Sequence, residues 1–501
     1  MVEITYLKKE ISLGKFSNTG SSLRLPGVIA QFNQHKKKRK SMEATVNNLG
    51  KELQGNIILP QDKDYDETRK IFNRMIDKRP AMIVKCKNRG DVVKAIHFAR
   101  SENLEVSVRS GGHNGPGLAL VDDGLVIDLS QMKGVKVDPE KKRVRVEAGC
   151  TWGDVDAATH EFGLATVSGV ISTTGVGGLT LGGGHGYLTR KYGLTIDNLV
   201  SADVVLADGS FVHTNEQENP GLFWALRGGG GNFGVVTSFE YRLHPVKNVI
   251  AGPMFWPIDQ LETTLKWYRD WLPEMPEDTY AFYLAAEVPP AEPFPKDIQG
   301  EKVCGLLWCY TGPEEQFESV IQQARDVAEP LFEFTGEMPY PALQTMFDGL
   351  YPPGDQWYWK GDFVKEIPDE AIEKHKQFAR VPTSKSTMHL YPVDGAVHTV
   401  AKDETAWNKR DAVWSMVIVG VDPDPDNVDK IKTWARRYWE ALHPYTLGGS
   451  YINFMMEEGQ DRIKASYGDN YERLQKVKTK YDPDNFFHVN QNIKPAYSKD
   501  R

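Results

Sequence analysis

Between Ala81 and Leu129 the spacing of apolar positions changes from a short continuous run to helical spacing and then to alternation. Ala81-Met82-Ile83-Val84 is a short apolar run of strand type, Val92, Val93, Ile96 and Ala99 recur at helical spacing, and Leu104 to Val108 alternates. This order predicts a βαβ start. Further strand-like runs lie at Gly124 to Leu129, Val144 to Glu147 and Val204 to Leu206, with a helical stretch near Trp152 to Glu161. Such irregular mixing predicts an α+β chain. Residues 1 to about 50 are polar and without sustained period, so little fixed structure is expected there, and Met42 is a possible alternative start. Residues 1–54 are read as an N-terminal extension.

After His244-Pro245 the pattern shifts. Helices are predicted by Leu261, Leu265, Tyr268 and Leu272, by Phe317, Val320, Ile321 and Ala324, and by Val428, Ile431, Ala435 and Tyr438. Strands are predicted at Thr279 to Glu287, Lys302 to Tyr310, Ser386 to Pro392 and Val413 to Gly420. Ten of the twelve tryptophans fall between Trp256 and Trp439, which supplies a second core and the aromatic walls a ring-shaped substrate would need. The expected organisation is a glycine-rich domain over 55–245, an antiparallel sheet covered by helices over 246–450, and a C-terminal segment, 451–501.

A chain of 501 residues exceeds one ordinary core, in keeping with that division. The net charge of −8 argues against a nucleic-acid surface, and the block His35 to Lys40 is read as a solvated tail. No apolar run is long enough for a membrane span. The four cysteines, Cys86, Cys150, Cys304 and Cys309, suit neither a disulfide scaffold nor a metal site. With no secretory leader in view, the expectation is a cytoplasmic protein that binds no metal, membrane or nucleic acid.

Candidate chemistry lies in the glycines. Arg109-Ser110-Gly111-Gly112-His113-Asn114 follows a strand, and its glycine pair permits backbone N–H groups to converge on an anion such as a pyrophosphate. From Gly169 to Gly186 the glycine density exceeds that of any single turn. It lacks the spacing of a Rossmann fingerprint and the Lys-Ser/Thr ending of a P-loop. A different dinucleotide cradle is implied. The glycines of Gly228 to Gly231 likewise permit close approach of backbone to a ligand.

These segments, together with Gly124 to Ser130, Val146 to Val155, Asp197-Asn198, Gly230 to Thr237 and the C-terminal Tyr481 to Phe487 with Asn490, resemble the PCMH-type FAD-binding domain of the vanillyl-alcohol oxidase superfamily. Within it they are most like the berberine-bridge-enzyme-like and 6-hydroxynicotine-oxidase-like members. The resemblance implies a two-subdomain FAD-binding domain and an FAD-dependent oxidase acting on a small alcohol, sugar or amine, with oxygen as acceptor. His113 stands at the family's Ser-Gly-Gly-His position, implying a covalent link to the flavin 8α-methyl. Many relatives add a second link through a cysteine four residues before Gly-Val-Gly-Gly; that position is Ile171 here, so a single link is expected. Cofactor contacts are expected from Arg109, Ser110, Gly111, Gly112, His113, Asn114, Gly169, Thr173, Gly175, Gly178, Gly182, Gly183, Gly186, Val235, Val236 and Asn490.

For catalysis a C–H bond must face the flavin while a side chain assists loss of a proton from the adjoining hydroxyl or amine. Ser450-Tyr451-Ile452-Asn453-Phe454 resembles the family's Tyr-x-Asn segment, which makes Tyr451 the first choice, although a tyrosine common two positions further on in relatives is missing. His389 and Tyr391, on one face of a strand by alternation, are the other candidates. Asp394 stands where relatives carry a glycine. Two other readings share the scaffold: a dehydrogenase using another acceptor, which depends on access near Thr173 and Thr174, and a binding protein that kept the fold. A nicotinamide enzyme lacks its fingerprint.

Overall fold

A computed structural model describes residues 44–496. Residues 44–52 form a helix in a unit of their own, and Leu53 onward forms a second compact unit. The helix was not expected, because Val46 and Leu49 alone are too sparse to show a period. The basic block His35 to Lys40 and Met42 lie outside the described residues.

The second unit begins with a four-stranded sheet in the order Asn56–Ile58, Met82–Lys85, Leu125–Asp128, Val106–Arg109. Its last three strands are parallel, and their apolar character follows from burial on both faces. The crossover helix Arg89–Ser101 starts where the Asn88 side chain accepts the Asp91 N–H at 3.0 Å, and it buries Val92, Ala95, Ile96 and Ala99. A five-stranded antiparallel sheet follows, ordered Val135–Asp138, Arg143–Glu147, Val235–Arg242, Leu199–Val205, Phe211–Thr214. Its strand Leu199–Val205 starts five residues before the predicted Val204, because Ser201 and Asp203 place polar groups inside a buried strand.

The third sheet is antiparallel and eight-stranded, with Lys302–Tyr310, Thr279–Glu287, Thr387–Pro392 and Trp414–Asp422 side by side. Alternation divides its residues between two cores. Ala281, Tyr283, Met388 and Leu390 pack with Leu265, Ile321, Ile372 and Ala435 of the covering helices. Tyr280, Phe282, Leu284 and Tyr391 face the other way, where they meet Tyr187 and Leu188 from the glycine-rich half. The sheet is therefore buried on both sides, and its second face closes the site described below.

The helix Trp152–His160 carries a carboxyl into this junction. Asp156 is buried and accepts from Gln344 Nε2 at 3.0 Å, and burial pushes its pKa up to about 7 from the usual 3.8. The folded chain thus holds a proton that the unfolded chain releases near pH 4, so this contribution to stability is full below that pH and is lost as pH rises through about 7. Asp156→Asn is expected to be more stable than wild type at about pH 8, by a few kcal/mol, with the two converging near about pH 4; scanning calorimetry at both pH values checks this.

Candidate active site

A cavity of about 1120 Å³ lies between the glycine loops, the inner face of the large sheet and the C-terminal segment. Its one end is walled by backbone. Gly111 and Gly175 touch so closely that a Cβ on Gly111 would lie 2.4 Å from the Gly175 nitrogen. Ser110 ties the two loops, donating to the Ala148 carbonyl at 2.6 Å and accepting from the Gly177 N–H at 3.3 Å. Gly178 and Gly231, also on the wall, have nothing within 4 Å of a would-be Cβ, so both border open space. Among the described residues the N–H groups of Gly111, Gly112, His113 and Asn114 donate to no protein acceptor. A chain of loops with free amides around open space fits a phosphate-bearing dinucleotide.

His113 lies in this wall, stacked on Phe72 with ring centroids 4.1 Å apart and planes 18° apart. Its Nε2 is 3.1 Å from Thr173 Oγ1. Burial pushes the imidazolium pKa down to about 4, so the ring is neutral near pH 7. Phe72 had no signal in the sequence, since it belongs to no glycine motif and reaches His113 only through the fold.

The other expected cofactor residues divide. Asn114, Gly112, Gly169, Val235, Val236 and Asn490 line the cavity with those already named. Thr173 reaches His113 Nε2 and is not itself on the wall. Arg109 is not on the wall either: its guanidinium binds Asp128 at 2.6 Å and the Thr68 carbonyl at 2.6 Å, so its positive charge is spent inside the fold. Gly182, Gly183 and Gly186 also leave the cavity. A Cβ on Gly182 would meet the Asn453 amide at 2.4 Å, one on Gly183 the Trp407 ring at 2.3 Å, and one on Gly186 the Ser168 carbonyl at 2.4 Å. These glycines make room for protein.

Aromatic side chains complete the wall: Phe255 and Phe282, with Trp357 and Trp359 beside Phe72 and Gly115. His389 and Tyr391 do share the inner face, within a chain whose direction can be read. Thr387 Oγ1 donates to the Ala285 carbonyl at 3.0 Å, so it accepts from His389 Nε2 at 2.9 Å. That leaves His389 Nδ1 to accept the Tyr391 hydroxyl proton at 2.5 Å. Both nitrogens of His389 are thereby used, and Tyr391 keeps its oxygen lone pairs for another donor. Tyr451 is buried on the wall; its oxygen accepts from Asn453 Nδ2 at 2.7 Å and the Gly184 N–H at 3.1 Å, and its hydroxyl donates to the Leu179 carbonyl at 3.4 Å. Those donors favour the phenolate, but burial outweighs them and holds the phenol pKa above its usual value.

Asp394 is explained by Arg190. The pair is buried at 2.8 Å, and Arg190 also donates to the Thr279 carbonyl at 2.8 Å. Asp394→Ala strands that guanidinium, and is expected to lower stability by about 3 kcal/mol or more in denaturant titrations.

Comparison with known proteins agrees with this geometry. Residues 80–215 match the FAD binding domain model and residues 450–494 the berberine and berberine-like model. An FAD-linked oxidoreductase of Dictyostelium discoideum is 34% identical, over 90% of this chain and 97% of its own. The (R)-6-hydroxynicotine oxidase of Paenarthrobacter nicotinovorans is 31% identical, over 89% of this chain and 98% of its own. The crystal structure of 6-hydroxy-D-nicotine oxidase from Arthrobacter nicotinovorans superposes with a TM-score of 0.79 at 28% identity, covering 88% of this chain and 98% of that one. Fold and site together define an FAD-dependent oxidoreductase of α+β build, with a PCMH-type FAD-binding domain. The chain belongs to the berberine-bridge-enzyme-like family of FAD-linked oxidoreductases. No helix among the described residues is long and apolar enough to cross a membrane.

Proposed function

We propose that the protein holds FAD by a single covalent bond from His113 Nδ1 to the flavin 8α-methyl, and oxidises a small ring-bearing alcohol, sugar or amine with oxygen as acceptor. The observation that carries this reading is the fixed, neutral His113 ring on the cavity wall. Thr173 Oγ1 takes the Nε2 side at 3.1 Å, which leaves the Nδ1 lone pair to form the bond. Ile171 lines the same cavity and offers no thiol, so no second link forms. When bound, FAD would supply the hydride acceptor and the route by which electrons reach oxygen.

The protein's own groups prepare the substrate. The aromatic wall excludes water and seats a ring. Tyr451 takes the hydroxyl or amine proton once it has released its own, as a phenolate stabilised by the Asn453 and Gly184 N–H groups. Tyr391, its proton committed to His389, accepts a hydrogen bond from the substrate. The oxidase assignment is supported by the name of the hydroxynicotine relative. Four free, buried cysteines suit a reducing compartment, which supports a cytoplasmic location.

The test is the visible spectrum of purified protein before and after acid precipitation, followed by a screen of aryl alcohols, amines and oligosaccharides for peroxide. Yellow colour that stays with the pellet is the expected result. Colour that passes to the supernatant removes the covalent link, and turnover with an artificial acceptor but no peroxide replaces the oxidase with a dehydrogenase.

A further inference from the structure

Phe72 belongs to none of the glycine motifs, and the roles assigned above give it no task. It lines the cavity, is 6% exposed, and stacks on His113 with centroids 4.1 Å and planes 18° apart. Its backbone is tied on both sides, because the Phe72 N–H donates to the Gly112 carbonyl at 3.1 Å and the Phe72 carbonyl accepts from the Gly354 N–H at 3.1 Å. The ring also meets Trp357 of the large sheet, with centroids 4.9 Å apart. Phe72 is therefore held in place by groups other than the histidine it covers.

What remains open on His113 is specific. Phe72 covers one face of the imidazole, and Thr173 Oγ1 occupies the Nε2 edge at 3.1 Å. Nδ1 has no hydrogen-bond partner among the described residues, yet it is not buried, and the ring lies on the cavity wall. The open nitrogen is the one a bond to the flavin would use. A ring on an sp³–sp² torsion turns in a broad well, and a single hydrogen bond at Nε2 leaves its plane free to swing. A flat neighbour fixes that plane.

We propose that Phe72 is a positioning residue for flavin attachment, whose ring holds the His113 imidazole with Nδ1 presented to the 8α carbon. This rests on the covalent reading of His113. In the attachment step the Nδ1 lone pair forms the N–C bond and one methyl C–H bond breaks. The methyl hydrogen and the Nε2 hydrogen leave as protons, and the electron pair of the broken bond reduces the flavin until oxygen takes that pair as peroxide. Phe72 makes and breaks no bond; it supplies orientation, and its face steadies the positive charge that the imidazole carries before Nε2 loses its proton.

The test uses the full chain expressed under riboflavin limitation, mixed with FAD in air and precipitated with acid at intervals. Phe72→Leu keeps apolar bulk but no flat ring, and Phe72→Tyr keeps the ring. At saturating FAD, Phe72→Leu is expected to move flavin into the pellet about tenfold more slowly than wild type or slower still, while its affinity for FAD before attachment, read by flavin fluorescence, stays within about threefold. Phe72→Tyr should attach flavin at close to the wild-type rate. Attachment by Phe72→Leu at the wild-type rate overturns the inference. A deficit that vanishes at saturating FAD also overturns it, because Phe72 would then only shape the cradle, and so does a Phe72→Tyr protein as slow as Phe72→Leu. If Phe72→Leu lacks a cooperative melting transition, Phe72→Met, similar in volume to leucine, is judged by the same outcomes. Wild type that never retains flavin in the pellet sinks the covalent reading itself, whereas a variant that matches an attaching wild type sinks only the role of Phe72.

Discussion

His113→Ala protein is expected to release all of its flavin to the supernatant on acid precipitation, whereas wild type keeps it in the pellet. Alanine removes the imidazole nitrogen that would carry the bond. The four cysteines are no substitute, since Cys150 is fully buried and its thiol is pushed up to about 12 by burial. The glycine loops remain, so the variant should still bind FAD reversibly and be yellow before acid. Absorbance at the flavin maximum, read in both fractions, separates tether from cradle. Flavin that stays with the pelleted variant would refute the link through His113.

Tyr451→Phe is expected to slow reduction of the flavin by the substrate by roughly 10²- to 10⁴-fold, the usual contribution of a positioned proton-transfer group. The exchange removes one oxygen and leaves the ring against His185 and Trp407, so flavin content and fold should persist. Asn453 Nδ2 and the Gly184 N–H lose their common acceptor, which costs about 1–3 kcal/mol of stability. Anaerobic stopped-flow at saturating substrate isolates the step. An unchanged reduction rate would leave Tyr451 as a brace for Asn453, and Tyr391 would become the hydroxyl to examine next.

Much of this architecture is legible in local pattern. Period-two alternation from Thr387 to Pro392 puts His389 and Tyr391 on one face, and the structure places both on the cavity wall. The same rule anticipates strands at Thr279–Glu287 and Lys302–Tyr310, where it agrees residue for residue. Glycine density marks where backbone comes close to something, and at Gly111, Gly175, Gly178 and Gly231 that something is the cavity or the facing loop.

What a glycine approaches is a different matter. Gly182 and Gly183 have the same local look as Gly178, yet they receive Asn453 and Trp407, residues more than 200 positions away. Arg109 looks like an anion ligand until Asp128, on the neighbouring parallel strand, claims its charge. The contact of Phe72 with both His113 and Trp357 exists only once three separate segments converge.

By itself, then, the sequence determined the α+β class and the faces of the strands, because backbone conformation and alternation are set by near neighbours, and its glycine motifs carried the resemblance that implies FAD. Only the tertiary structure decided which polar groups are already satisfied and which remain free for a ligand. A hydrogen bond or ion pair is settled by whatever lies within about 3 Å in space, however distant in the chain.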